Sequence, residues 1–353
     1  MESHEQDVRF GCFLPIPASP VDKLLKIAKT NEEAGFDSIW FADHLLFIPP
    51  GIVPDAWSVL AATAVVTERA VLGTCVSDPH RYHPAVFAQK VATTDRISGG
   101  RVILGLGAGE AMNLEPFGIE WKNPVSRLVE AVTIMRRLWS GEMLTFEGRF
   151  WKLKDAFLQI SPVNGTVPIY FGANSPRTLR LTGEIADGWL SVPLSPKLYQ
   201  ERLKFVKEGA EKAGRSLGNI DTGIYLYTSA TEKAEDAYKQ INNMKSQVLP
   251  SPQILKDADY HIELPKELES LSYFKALADT EWIERFLQYG ELIPLEAAIE
   301  FSIAGTPEDC IKKIEEYIEA GVKHFLLLNV GPDPRQVLNF YSKEIIPYFK
   351  RRC

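Results

Sequence analysis

Asp43 and His44 close an apolar run, "FDSIWFA", while Glu110 and Asn113 follow a glycine-rich turn, "LGLGAGEAMN". An adjacent carboxylate and imidazole can titrate and hydrogen-bond, and histidine moves protons near neutral pH. A purely structural histidine at a strand end is the alternative. Gly105 and Gly107 begin a dinucleotide-type fingerprint, but Glu110 stands where its last glycine belongs. A carboxylate there either touches a ligand or reacting group, or caps the next turn. In "FGANSPRTL" (171–179), Gly172, Ala173, Asn174 and Ser175 run into a helix start near Pro176. Orphan N–H groups at such a start bind anions, although the same residues also read as a plain capped helix. His80, Arg81 and His83 in "SDPHRYHP" fit no metal-ligand spacing. The expectation is therefore no metal, with Arg81 available to an anionic group.

These residues need elements to position them. β-Branched runs at 8–14, 36–42, 70–76, 101–107, 167–173, 187–192, 221–229 and 324–330 alternate with helical patterns. The helices are expected over 21–34, 55–68, 84–97, 124–139, 176–185, 196–213, 306–320 and about 333–349, with a β-hairpin excursion at 143–153. Strands alternating with helices pair in parallel. Eight such units predict an α/β fold of the (β/α)8 TIM-barrel type. Residues 1–353 read as one domain, carrying a helical insertion at about 232–305 between strands seven and eight. That insertion is expected to lie over the barrel mouth as a lid. In a barrel, chemistry sits at the C-terminal ends of the strands, so the loops at Pro15–Pro17, Asp43–His44, Cys75–Asp78, Glu110–Asn113, Gly172–Ser175, Val192–Pro193, Thr228 and Asn329–Gly331 should converge. The glycines after strand four are expected to let a ligand approach the backbone closely.

Bulk properties narrow the class. Hydrophobic content of 45% and charged content of 24% are those of a soluble globular chain. A net charge of −7 disfavours nucleic acid and anionic membrane as partners. No apolar run approaches the roughly 18 residues of a membrane span. The opening "MESHEQDVRFG" lacks the basic and apolar regions of a signal peptide. Cys12, Cys75, Cys310 and Cys353 are scattered, as reduced thiols in a cytoplasmic protein would be.

The segments "FDSIWFADH", "VLGTCVSDPHRYHPAVFAQKVATTDRISGGRVILGLGAGEAMN", "FGIEWKNP", "VPIYFGANSPRTLRLTGEIADGW" and "AGTPEDCIKKIEEYIEAGV" occur in an order that resembles the bacterial-luciferase-like superfamily. The resemblance runs from about residue 9 to 345 and is strongest to the branch that uses coenzyme F420, a deazaflavin. It implies an oxidoreductase, usually a homodimer, acting on a small-molecule substrate by hydride transfer. Carried over by position, it places Asp43 against the deazaflavin and makes His44 a proton-transfer residue. It puts a non-prolyl cis peptide at Cys75–Val76, behind the ring. Ala108, Gly109 and Asn113 would help fix the cofactor and Glu110 would lie near the reacting carbon, while Gly172, Ala173 and Asn174 would take the cofactor's phosphate.

Departures from the branch bear on the substrate. Glu300 aligns with a phosphate-binding Arg of the sugar-phosphate dehydrogenases, and "SVPLSPKLY" has Pro and Leu where their Lys is expected. A carboxylate repels a phosphate dianion, which argues against glucose 6-phosphate. Ile48 replaces a Trp of the sugar and alcohol dehydrogenases, and the first strand, "CFLPIPASP", lacks an acidic residue used by some members. The expectation is therefore hydride exchange with a carbonyl or alcohol carbon of a small or partly apolar substrate. A methylenetetrahydromethanopterin reductase is the alternative, although those enzymes usually carry Asp at the position of Glu110. An FMN-dependent monooxygenase is the further one. Leu255, Tyr260, Leu271, Tyr273, Phe274, Trp282 and Phe286 make the insertion apolar and aromatic.

Overall fold

A computed structural model describes residues 8–15, 19–48, 51–275 and 279–351. Ile16 and Pro17 of the first strand-end loop, and Cys353, lie outside the described residues, as does the side chain of Phe274. Eight parallel strands close into a barrel. They are β1 (Arg9–Phe13), β2 (Ser38–Phe41), β3 (Val71–Thr74), β4 (Val102–Leu106), β7 (Ile169–Gly172), β8 (Gly188–Ser191), β9 (Asp221–Ala230) and β11 (His324–Asn329). Closure comes from β11, which pairs with β9 on one side and with β1 on the other. The expected hairpin forms from β5 (Leu144–Glu147) and β6 (Lys152–Ala156) as a separate antiparallel pair.

Helices α1 (Val21–Glu33), α2 (Ala56–Val66), α3 (Pro84–Ser98), α4 (Pro124–Trp139), α5 (Pro176–Ile185), α6 (Pro196–Lys212) and α13 (Pro307–Glu319) accompany the strands. Their starts carry ordinary chemistry: a proline in the first turn of α3 to α6 and α13, and side-chain caps from Asp55, His83, Ser175, Ser195 and Thr306. His83 is thus a helix cap, its Nδ1 accepting from the Ala85 N–H at 3.2 Å.

The barrel interior is filled by side chains. The Trp40 indole leaves β2 and lies so close to Gly73 on β3 that a Cβ there would sit 2.4 Å from the ring. Its ring also meets Tyr170 of β7 and His324 of β11 at centroid distances of 6.4 and 5.5 Å, so it crosses the barrel. Below it, at the N-terminal ends of the strands, Asp221 joins Arg9 (2.5 Å), Tyr170 (2.7 Å) and His324 (3.3 Å). Ser38 Oγ lies 2.7 Å from His324 Nε2 and accepts from Trp40 Nε1 at 2.8 Å.

Two features depart from the sequence expectation. A ninth strand, β10 (Ile303–Gly305), pairs with the C-terminal overhang of β9. Three residues inside "FSIAG" are too few to show a strand period. The last helix is not continuous either. After α14 (Pro334–Phe340) comes a π-helical turn, Tyr341–Ile345, and then α15 (Ile346–Lys350). Pro347 lacks an N–H and its ring crowds the carbonyl one turn earlier, which breaks the regular ladder. Between β9 and β10, the insertion is built from α7 (Ala234–Asn243), α8 (Lys245–Val248), α9 (Pro252–Asp257), α10 (Lys266–Glu269), α11 (Thr280–Leu292) and α12 (Leu295–Glu300).

Candidate active site

The ends of β2, β3, β4 and β7 meet at one place. His44 Nε2 lies 3.7 Å from Glu110 Oε2, with both side chains largely but not wholly covered. His44 Nδ1 is enclosed and has no protein partner. Asn113 ties the two loops together: its Oδ1 accepts from the backbone N–H groups of Leu45 (2.7 Å) and Leu46 (2.9 Å). Its Nδ2 donates to Glu110 Oε2 at 3.1 Å. Residues 67 and 68 positions apart are thereby held as one unit.

Asp43 is bonded within the protein. Arg81 NH1 donates to its Oδ1 at 3.0 Å, and Ser77 Oγ donates to its Oδ2 at 2.5 Å. Arg81 also donates to Asp78 Oδ2 at 2.6 Å and to the Asp43 carbonyl at 2.8 Å. Burial works against the Arg81 charge, but Asp43 and Asp78 outweigh it and hold the guanidinium above its ordinary value. Arg81 is therefore committed to two buried carboxylates, which corrects the expectation that it is available to an anionic group.

The Cys75–Val76 peptide is cis, as the resemblance implied. Burial pushes the Cys75 thiol up to about 12, so it stays protonated and is no nucleophile near neutrality. Val76 projects between β4 and β7. A Cβ on Gly107 would lie 2.6 Å from its Cγ2, and one on Gly172 would lie 3.1 Å from its Cγ1. A Cβ on Gly105 would strike the Thr74 carbonyl. The space over Gly105 and Gly107 is thus occupied by the protein, which corrects the reading of these glycines as openings for a ligand. Gly109 differs: its φ of +82° is one that side-chain-bearing residues rarely adopt.

Around Gly109, the Ala108 carbonyl receives Trp121 Nε1 (3.0 Å) and lies 3.2 Å from His80 Nε2. Burial lowers the His80 imidazole below its ordinary value against the pull of Asp78, and Arg127 lowers it further. In the β7 loop, Trp189 Nε1 donates to the Ala173 carbonyl at 2.9 Å, and Asn174 Oδ1 is enclosed without a partner. Ser175 and Thr178 form a reciprocal capping box on α5. Among the described residues, no group of three His, Cys, Asp or Glu side chains is arranged to hold a metal.

Three nearby tyrosine hydroxyls were not singled out as site residues from sequence. Tyr225 and Tyr227 of β9 face each other at 5.3 Å, with Phe13 lying 4.7 Å from Tyr225. Tyr273, from the insertion, packs its 3-10 turn on the Ala111–Asn113 turn. Burial, then Glu110 and Tyr227, raise its hydroxyl well above the ordinary value. Burial likewise pushes Tyr227 up to about 12. Nothing in "SYFK" points inward, because the barrel supplies the site that Tyr273 meets.

The fold is a (β/α)8 barrel in which His44 and Glu110 lie side by side at the C-terminal ends of the strands. The family model described as luciferase-like monooxygenase matches residues 8–324, and the chain belongs to that family. It is 33% identical over 354 residues to an F420-dependent glucose-6-phosphate dehydrogenase of Microbacterium testaceum, covering 98% of each chain. Among solved structures, an F420-dependent secondary alcohol dehydrogenase with an F420–acetone adduct superposes with a TM-score of 0.82 at 28% identity, covering 97% of this chain and 99% of the other. The coenzyme F420-dependent tetrahydromethanopterin reductase of Methanopyrus kandleri gives a TM-score of 0.83 at 28% identity, with the same coverage.

Proposed function

We propose that this protein is a coenzyme F420-dependent oxidoreductase exchanging hydride with a carbonyl or alcohol carbon. The observation that carries the reading is the His44–Glu110 pair, 3.7 Å apart with His44 Nδ1 left unpartnered at the barrel mouth. The residues present suit the cofactor. Val76 forms a firm back wall between β3, β4 and β7, and the N-terminal turn of α5, begun by Ser175 and Pro176, offers backbone donors in the loop assigned to the phosphate. Ala108, Gly109, Gly172, Ala173 and Asn174 would hold it, with Asp43 fixed by Arg81 and Ser77 at the edge of the site. F420, when bound, takes up or returns hydride at its deazaflavin ring.

The chain's own residues manage the proton. Oxidation of an alcohol carbon to a carbonyl releases a proton from the oxygen, and His44 takes it. Glu110 stabilises the imidazolium that results. In the reducing direction His44 returns the proton.

The relatives favour this class but not one substrate within it. Glucose-6-phosphate dehydrogenases are among them, so the sequence argument against that sugar gains no support there. Glu300, on which it rested, receives the Tyr260 hydroxyl at 2.5 Å and has a structural task. The tetrahydropterin reductase reading stays beside the first, supported by the similarity to that enzyme. Fluorescence quenching by oxidised F420 and by FMN, measured separately, tests the cofactor. Tight FMN binding without F420 binding would end the first two readings in favour of an FMN enzyme. A screen following deazaflavin absorbance with secondary alcohols, ketones, methylenetetrahydropterin and glucose 6-phosphate then names the substrate class.

We read the chain further as one cytoplasmic domain working as a homodimer, with its insertion serving as the lid. Among the described residues no helix is long and apolar enough to cross a membrane. α2, "AWSVLAATAVV", is apolar apart from Ser58 and Thr63 yet leaves Val65 75% exposed. Such a helix belongs under cover, and a second copy of the chain would supply it.

A further inference from the structure

Tyr273 arrives at the mouth from outside the barrel, yet it is held as firmly as a barrel residue. Its ring packs on Trp282 at 6.0 Å and on Phe286 at 5.8 Å, and those two rings stack on each other at 4.9 Å. Its backbone N–H donates to the Pro250 carbonyl at 3.2 Å. The hydroxyl at the tip is enclosed and its hydrogen finds no acceptor, while the Ile48 backbone N–H is directed at its oxygen and Glu110 and Tyr227 stand near it. A buried hydroxyl left unpaired is costly unless something else satisfies it.

The neighbouring surface says what that something is. Tyr225 and Tyr227 lie 5.3 Å apart, and Cys75 and Tyr273 lie near enough to act on Tyr225. Burial keeps all three tyrosines protonated through the ordinary pH range, as neutral donors on aromatic faces. Among the described residues no Lys or Arg acts on these three hydroxyls, and Glu110 adds a carboxylate. Such a wall suits an uncharged molecule with an oxygen acceptor and a flat or apolar body. It disfavours an anion.

We propose that Tyr273 is the specificity-determining donor of this site, giving its hydroxyl hydrogen to the carbonyl or alcohol oxygen of a neutral, ring-bearing substrate. The proposal rests on the oxidoreductase reading for its chemistry, but it can be tested apart from it. Acetophenone is the probe, with ethylbenzene as its match without the oxygen. Calorimetric titration of both into wild type and Tyr273→Phe is done with and without F420. Acetophenone should bind the variant about tenfold more weakly, the size of one lost hydrogen bond, while ethylbenzene binds both alike. Acetophenone binding equally to the two proteins, or to neither, overturns the proposal. An equal loss of both probes also overturns it, because the ring rather than the hydroxyl would then matter. Failure of F420 to bind refutes the oxidoreductase reading alone, since the cofactor-free titrations still report on Tyr273.

Discussion

Asn113 donates to Glu110 at 3.1 Å while its carbonyl oxygen receives the backbone of Leu45 and Leu46, so the loop bearing His44 cannot shift without disturbing Glu110. Removing the amide leaves two backbone donors without their partner, at about 1–3 kcal/mol for each group left unsatisfied. Asn113→Ala should therefore lower stability and also reduce kcat, because the proton-handling pair loses its spacing. Urea unfolding and steady-state rates check both effects. Unchanged turnover would show that the tie is not needed for chemistry.

His44→Ala and Glu110→Gln should each cut kcat by about 10²–10⁴-fold, the usual worth of positioned acid–base help. The F420 dissociation constant should stay within a few-fold. Wild-type turnover in both variants would remove the pair from the mechanism, while loss of folding would mark it as structural.

Gly107→Ala places a methyl group 2.6 Å from Val76 Cγ2. Val76 is β-branched and cannot rotate freely away, so the substitution should cost about 1–3 kcal/mol. Val76→Ala in the same chain should recover much of that loss, and a double-mutant cycle reads the coupling. Additive effects would mean that the two residues do not touch.

Asp221 predicts an acid limit on stability. Burial would raise its pKa, but His324, Arg9 and Tyr170 outweigh burial and hold it well below the ordinary value. A carboxylate depressed in the folded state stabilises fully above its unfolded pKa of about 3.9, and that stability drains as pH falls below it. Asp221→Asn should lose about 3–5 kcal/mol near neutrality, as removing one partner of a buried pair does, and should flatten the fall in Tm between pH 4 and 2, on the order of two units around that reference value. Ser38, His324 and Asp221 have the connectivity of a hydrolytic triad, yet Ser38 and His324 are buried at the floor of the barrel. Ser38→Ala should therefore leave turnover unchanged.

Val65→Asp should turn a dimer into a monomer in sedimentation if α2 is the shared face. A wild type that sediments as a monomer would end the dimer reading.

The barrel was legible because its period is regular: each apolar run at 36–42, 70–76 or 101–107 contains a strand, and α4 spans the predicted 124–139. The His44–Glu110 meeting was legible as well, since both residues follow strands that end on one face. What sequence does not show is which side chains are already bonded. Arg81 looks free until Asp43 and Asp78 come within reach, and Gly107 looks like an opening until Val76 fills it. Tyr273 is hidden for a related reason. Its role depends on where a helical insertion lands, and helical periodicity does not encode that.

β9 is ten residues long, and its halves serve different neighbours: Asp221–Ile224 pair with β8, while Thr228–Ala230 pair with β10. The overhang works as a socket into which the following segment plugs. Whatever is threaded between β9 and β10 is anchored at both ends on one strand pair without borrowing a rung from β8. A chimera that swaps residues 231–302 for another relative's insertion keeps every β8–β9 hydrogen bond. Such a joint lets the inserted segment vary while the barrel's own pairing stays as it was.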